Sequence, residues 1–319
     1  MNPERKDRRS FLAQSALSAV GIAIGSSAGK SPAADSQTSK KPAPKVAAFT
    51  ESFQDRPIPE VCRMFKSIGL DGLDLTVRPG GHIPPERAVA ELPPAVKAAH
   101  DAGVKISFLT TNITDANAEA EQLLAVAGEH GIRRIKFGYY RYGKFGTLAK
   151  QMEEIRAQIG RVAKLAAKHN VLPCVHIHSG DTIPSHGTQL YELIRDFRPD
   201  EVGAYVDPMH MALEGGGDGW RQGLDLLAPW VALCSLKNFA WEPAGRDAKG
   251  QAKWRVRKMP LADGFAPLPE FIAALKSINF SGIYSLHSEY KGGGSFRDLS
   301  TDECLAQTAA DLKYFRTLQ

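Results

Sequence analysis

The 319-residue chain has only four cysteines, none spaced as CxxC or in a zinc-finger pattern, which excludes a zinc ribbon or a disulfide-dense scaffold. A GxGxxG turn is missing after the first β-like run, so nothing marks a dinucleotide-binding doubly wound sheet. No glycine-rich phosphate cradle occurs either. Long apolar runs are also lacking: residues 13–28 are a 16-residue stretch rich in Ala, Ser and Gly, too short and too weakly apolar for stable membrane insertion. Excess charge is absent once the first 44 residues are set aside. They hold seven of the 40 basic residues and three of the 35 acidic ones, leaving 33 against 32, a net of +1. That balance gives no basic groove for nucleic acid.

What is present begins with Arg8-Arg9-Ser10-Phe11-Leu12, ahead of the short apolar run. A basic start, an apolar middle and small residues through Ala34 are the marks of an export signal over 1–34. The paired arginines resemble a twin-arginine signal, which implies an exported, periplasmic protein. Residues 35–44, mostly Ser, Pro, Ala, Thr and Lys, read as a disordered linker too polar to pack. A single domain is expected over 45–319.

Within that domain, short apolar runs alternate with longer stretches of helical period. The runs are 46–50, 73–77, 105–110, 134–139, 172–178, 202–206, 231–236 and 283–287. Near-continuous apolarity over five or six residues is the pattern of a strand buried on both faces. Helices are predicted over 58–68, 86–102, 117–130, 148–170, 188–197, 219–227, 268–277 and 301–318. Ile68-Gly69, Ala102-Gly103 and His130-Gly131 place glycine where a left-handed cap ends a helix. Eight strand–helix units with right-handed connections close into an α/β (β/α)8 TIM barrel. Each cysteine lies in an apolar segment and reads as a small core hydrophobe. In such a barrel only Cys62 and Cys304 fall on neighbouring helices, leaving one pair that an exported chain could oxidise. The longest insertion, 238–267, contains Lys253-Trp254-Arg255-Val256-Arg257, an alternation suited to a solvated hairpin, whose basic and aromatic side chains could also reach over a substrate.

Chemistry in this fold sits at the C-terminal strand ends. There the sequence places Arg78 and His82, then Thr111 and Asn112, then Tyr139 to Tyr142. Further along it places His176 and His178, Asp207 and His210, Ser235, Lys237 and Asn238, and finally His287 and Glu289. Five of the nine histidines belong to this set. One strand-end histidine is usually structural; five beside Asp207, Glu289 and Lys237 point to a site. Imidazole with carboxylate suits a divalent metal such as Mn, Zn or Mg. Alternation puts His176 and His178 on one face, and likewise His287 and Glu289.

The order of LDLTVRPGGH, His176-x-His178-Ser-Gly, Asp207-Pro-x-His210, Ser235-Leu-Lys237-Asn238 and Ser-Leu-His287-x-Glu289-Tyr resembles the sugar phosphate isomerase/epimerase superfamily, the xylose isomerase-like barrels. The resemblance covers nearly all of 45–319. It implies a divalent metal held by Glu, Asp, His and Glu after strands five to eight. Asp207 matches. His176 stands at the first Glu position, Ser235 at the His position, and either His287 or Glu289 at the last. The implied ligands are therefore His176, Asp207, His287 and Glu289, with a metal-free pocket as the alternative.

The resemblance further implies proton transfer next to a carbonyl of a carbohydrate, with His176 or Glu289 as base. Lys237 joins them as a catalytic group; Arg78, His82, His178, His210 and Asn238 would bind substrate or organise the centre. Two rivals are a lyase acting on 3-keto-glycosides through the same site, and a non-catalytic carbohydrate-binding barrel. Oligomeric state is open.

Overall fold

The computed structural model describes residues 44–319; the leader reading at 1–34 and all but the last residue of the linker lie outside the described residues. Eight strands form the barrel: β1 (Lys45–Phe49), β2 (Gly72–Val77), β3 (Lys105–Thr111), β4 (Arg134–Lys136), β5 (Leu172–His176), β6 (Gly203–Val206), β7 (Val231–Leu236) and β8 (Ile283–Leu286). Each pairs in parallel with its neighbours in sequence, and β8 closes on β1. The expected barrel is therefore the observed one.

The outer helices are α1 (Ile58–Ser67), α2 (Ala88–Asp101), α3 (Ala118–Glu129), α4 (Leu148–Ala167), α5 (Gly187–Ile194), α6 (Pro208–Gly215), α7 (Gly219–Leu227), α8 (Leu268–Ser277) and α9 (Thr301–Thr317). Gly69, Gly103 and Gly131 take φ of +85°, +73° and +75° just past α1, α2 and α3, the left-handed stops read from the sequence. Asn117 caps α3 by accepting from the Ala120 amide, and Ser300 with Glu303 forms a reciprocal capping box on α9.

Three local features differ from the sequence reading. The fourth strand stops at Lys136 rather than 139, because the Gly138 amide leaves the ladder to donate to the Ile113 carbonyl. The fifth stops at His176, so His178 belongs to a loop. The run after β6 is helix, not loop: α6 starts at Pro208, with the Asp207 carboxylate accepting from the His210 amide. Proline at the first helical position after an aspartate cap explains it.

All four cysteines are buried and unpaired, Cys62 and Cys304 included. The anticipated hairpin is present, Asn238–Arg246 pairing with Ala252–Met259.

Most of the apolar core lies between strands and helices. Inside the barrel, Ala47, Phe108, Cys174, Tyr205, Leu233 and Ile283 form a separate plug. One inward position further along, five of these six strands turn polar, with Thr110, His176, Asp207, Ser235 and Ser285 all buried, while the first presents Phe49. Side-chain alternation thus stacks an apolar floor beneath a polar chamber at the C-terminal mouth.

Candidate active site at the barrel mouth

Asp207 is the centre of the chamber and is fully buried. Its Oδ1 is committed to the α6 cap, while Oδ2 lies 3.2 Å from His176 Nε2, 3.3 Å from Lys237 Nζ and 3.7 Å from His210 Nε2. Lys237 also reaches Glu289 Oε1 at 3.5 Å, and Lys258 from the hairpin holds Glu289 Oε2 at 2.6 Å. Side chains from β5, β6, the ends of β7 and β8, and the long insertion thereby meet in one network. His176 and Glu289 are thereby both linked to Asp207, the first directly and the second through Lys237.

Burial alone would raise the Asp207 and Glu289 carboxyls, but Lys237 leads the opposing charges that hold both well below the usual range. Lys237 is likewise penalised by burial, and the two carboxylates outweigh this and hold it above its ordinary value. The outcome is a dry ammonium between two ionised carboxylates. His176 and His210 go the other way, pushed well below the ordinary imidazole value by burial, with the nearby Lys237 adding to it. His178 falls to about 4, again from burial and then Lys237. These three rings are neutral. With Nε2–H of His176 turned to Asp207, its Nδ1 keeps a free lone pair and has no protein partner.

His287 is the exception: burial opposes charging it, yet hydrogen bonds with Asp74 and Glu289 outweigh that and raise it. Its Nε2 meets the Tyr205 hydroxyl at 2.7 Å, its Nδ1 meets Glu289 Oε1 at 3.3 Å, and Phe49 stacks on its ring at 4.6 Å.

A divalent metal needs several of these donors turned on one point. Among the described residues no three His, Cys, Asp or Glu side chains are so placed. The reason is how they are already engaged. Both His287 nitrogens are occupied, both Asp207 oxygens are occupied, and the space between the carboxylates is filled by the Lys237 ammonium. Of the anticipated ligand set of His176, Asp207, His287 and Glu289, the two carboxylates are bridged by a lysine cation, and the set as arranged does not fit a metal.

The other anticipated residues divide. His178 packs against His210, the rings tilted by 37° with centroids 3.9 Å apart, and lies at the chamber edge; the His210 Nδ1 is 2.8 Å from the Ser179 hydroxyl. Arg78 sits at the rim, 3.0 Å from Glu51 and above the Phe49 ring. His82 is outside the network: its nitrogens meet Thr76 Oγ1 and the Phe53 carbonyl, and it lines a surface groove with Asp55 and Arg56. Asn238 also lies outside the network. Its amide donates to the Leu261 and Ala266 carbonyls and its oxygen accepts from the Phe239 and Ala266 amides, so it pins the insertion.

Sequence reasoning passed over four members. Asp74 is buried in β2 and accepts from Thr110 and Ser285 at 2.6 and 2.9 Å. Tyr205 stacks on His176 with centroids 4.2 Å apart. Lys136 of β4 is buried beneath the Tyr139 ring, and Lys258 reaches in from the hairpin. A charged residue inside an apolar strand, as in LDLTV and RIKFG, was the available signal for two of them.

Fold and chamber together define a (β/α)8 barrel with an enzyme-like polar mouth. Residues 62–317 match the xylose isomerase-like TIM barrel family, and the chain belongs to that family. A comparison with curated proteins finds no match.

Among solved structures it is similar to a D-psicose 3-epimerase from Clostridium cellulolyticum H10 (TM-score 0.64, 13% identity, 86% of this chain and 99% of that one). It is also similar to a 3-keto-D-glucoside 4-epimerase from E. coli (0.62, 14%, 86% and 100%). A third is a xylose isomerase-like TIM barrel protein from Mycobacterium smegmatis in complex with magnesium (0.61, 15%, 86% and 97%). At these identities the likeness establishes the fold.

Proposed function

We propose that the protein is a sugar isomerase or epimerase that transfers a proton next to a carbonyl group of a small carbohydrate. The observation that carries this reading is the pairing, through Asp207, of a neutral imidazole with an unpartnered nitrogen and a dry, permanently charged ammonium. Removing a proton beside a carbonyl needs a base of suitable strength and a cation where negative charge collects. His176 Nδ1 supplies the first. Lys237, fixed between Asp207 and Glu289, supplies the second by binding the substrate oxygen. Glu289 is the weaker candidate base, since both its oxygens are already paired with cations. His210 Nε2 and Ser235 Oγ, buried without a hydrogen-bond partner among the described residues, are placed to take up substrate hydroxyls.

The epimerases of similar fold act, by their names, on a ketose and on a keto-glucoside. Both are carbonyl sugars, which supports this substrate class. The same first step on a 3-keto-glycoside ends in elimination if a leaving group lies beyond the carbanion, and the twin-arginine-like leader favours substrates met outside the cytoplasm. Periplasmic location is part of the proposal.

The test is exchange in D2O. D-psicose, D-fructose and a 3-keto-glucoside are incubated with the protein, with and without chelator, and followed by proton NMR. One deuterium entering beside the carbonyl, unaffected by chelator, supports the reading. No exchange and no new product from any of the three removes it.

A further inference from the structure

Two lysines share the chamber, and their surroundings are opposite. Lys237 is clamped by two carboxylates. Among the described residues Lys136 has no carboxylate within ion-pair distance and no hydrogen-bond acceptor: its Nζ is a buried atom without such a partner, on a residue 2% exposed. Its strand register sets it level with Thr110 on β3 and Cys174 on β5, both inside the barrel. The side chain therefore extends up the barrel axis towards the mouth. The group above the amine is the ring of Tyr139, 3.3 Å from Nζ to the centroid. Tyr139 is itself half-buried and abuts His178 and His176, at 5.0 and 6.3 Å between centroids, so one ring separates the amine from the chamber.

A lysine kept this dry without a counter-ion costs stability unless it sheds its proton. The charged groups that face it are Arg78 and Lys237, which repel a proton, and Asp74 and Glu51, which attract one; burial comes first and the balance lies well below the ordinary lysine value. A neutral amine beside a fixed cation is the state in which lysine is a nucleophile. A pair of like groups driven apart in this way marks a division of chemical labour.

We propose that Lys136 is a carbonyl-trapping residue whose Nζ condenses with the keto group of the substrate to form an imine. The inference rests on the reading of this site as one that works beside a carbonyl. The nitrogen lone pair attacks the carbonyl carbon to give a carbinolamine, which loses its oxygen as water carrying both amine protons, so that a C=N double bond replaces the C=O double bond. No oxidant or reductant is needed. Once the imine takes up a proton from the site, its nitrogen draws electrons from the neighbouring C–H bond as His176 removes that proton. With the carbonyl oxygen gone as water, Lys237 holds the hydroxyl on the adjacent carbon in place of that oxygen. Tyr139 must swing aside to admit the substrate.

The full chain is incubated at neutral pH with 1,3-dihydroxyacetone or D-fructose and sodium cyanoborohydride, which reduces imines in preference to ketones, and the adducts are located by peptide mass spectrometry. The expected result is one dominant adduct, at Lys136, with exposed Lys97 and Lys150 labelled at least tenfold less. Lys136→Met should abolish it while leaving the melting temperature unchanged or raised, because the variant removes an unpaired buried amine. Adducts confined to exposed lysines would overturn the proposal and leave Lys136 a cation held by the Tyr139 ring. Deuterium exchange undiminished in Lys136→Met would overturn it too while leaving the isomerase reading intact. Absence of exchange in the wild type would instead remove that reading.

Discussion

Lys237 Nζ lies 3.3 Å from Asp207 Oδ2 at the fully buried end of the chamber, and this ion pair sets the electrostatics of everything around it. Removing one member of a buried pair strands the other, at a cost of about 3–5 kcal/mol. In Lys237→Met, Asp207 and Glu289 would face each other's network without their common cation. The expected outcome is a loss of that order in urea denaturation, together with loss of deuterium exchange. Added Mn2+ should raise the melting temperature of the variant and not of the wild type, because only the variant leaves two carboxylates open to an external cation.

His176→Asn should lower the exchange rate by about 10²-fold or more, the usual contribution of a positioned base. Glu289→Gln should cost less, since that carboxylate is engaged by Lys237, His287 and Lys258 rather than free to take a proton. Single-turnover rates of the two variants decide between them. An equal loss in both would move the base away from His176.

The barrel was legible because its strands are short apolar runs at regular intervals and its helices end on glycines, both local properties of the chain. The gathering of His176, Asp207, Lys237 and Glu289 was legible for a related reason: the fold brings all strand ends to one rim. Side-chain direction was not. His82 and Asn238 lie at strand ends yet turn to backbone groups of their own loops, and nothing in residue type distinguishes a loop-pinning amide from a substrate-binding one. The metal reading meets the same limit: Lys237, which lies between Asp207 and Glu289, is recognisable there only in three dimensions. Lys136 went unremarked because it falls inside the run read as strand 134–139, while the polar residues weighed for chemistry were those at strand ends.

Helices α5 and α7 touch backbone to backbone at Gly187 and Gly223. A Cβ built on Gly187 falls 2.6 Å from the Gly223 Cα, and the reciprocal distance is 2.7 Å. Neither helix can accept a side chain there without separating. Gly223→Val should therefore destabilise by about 1–3 kcal/mol, seen as a drop of several degrees in melting temperature. The site network lies on other elements, so activity at low temperature should be retained. A variant as stable as wild type would show that the two helices have room to part.

Stability should fall on the acid side well before the carboxylates of the site titrate. His176, His178 and His210 have imidazole values below the unfolded one, with His178 at about 4. Between the two values the unfolded chain binds more protons than the folded one, so stability rises with pH there. Lowering the pH from about 7 towards 4 thus removes stability through three rings at once. His287 acts in the opposite sense: its raised value contributes stability below the unfolded value that is lost as pH rises through the folded one, and it offsets only part of the effect. Asp207 and Glu289, held low, contribute stability above their unfolded values that is lost as pH falls through their folded ones, in a still more acidic range. Urea midpoints measured at half-unit intervals from pH 4 to 8 should climb through the histidine range. In His178→Gln the climb should be shallower, because one of the three rings no longer titrates; an unchanged slope would mean that His178 is not the neutral ring its burial implies.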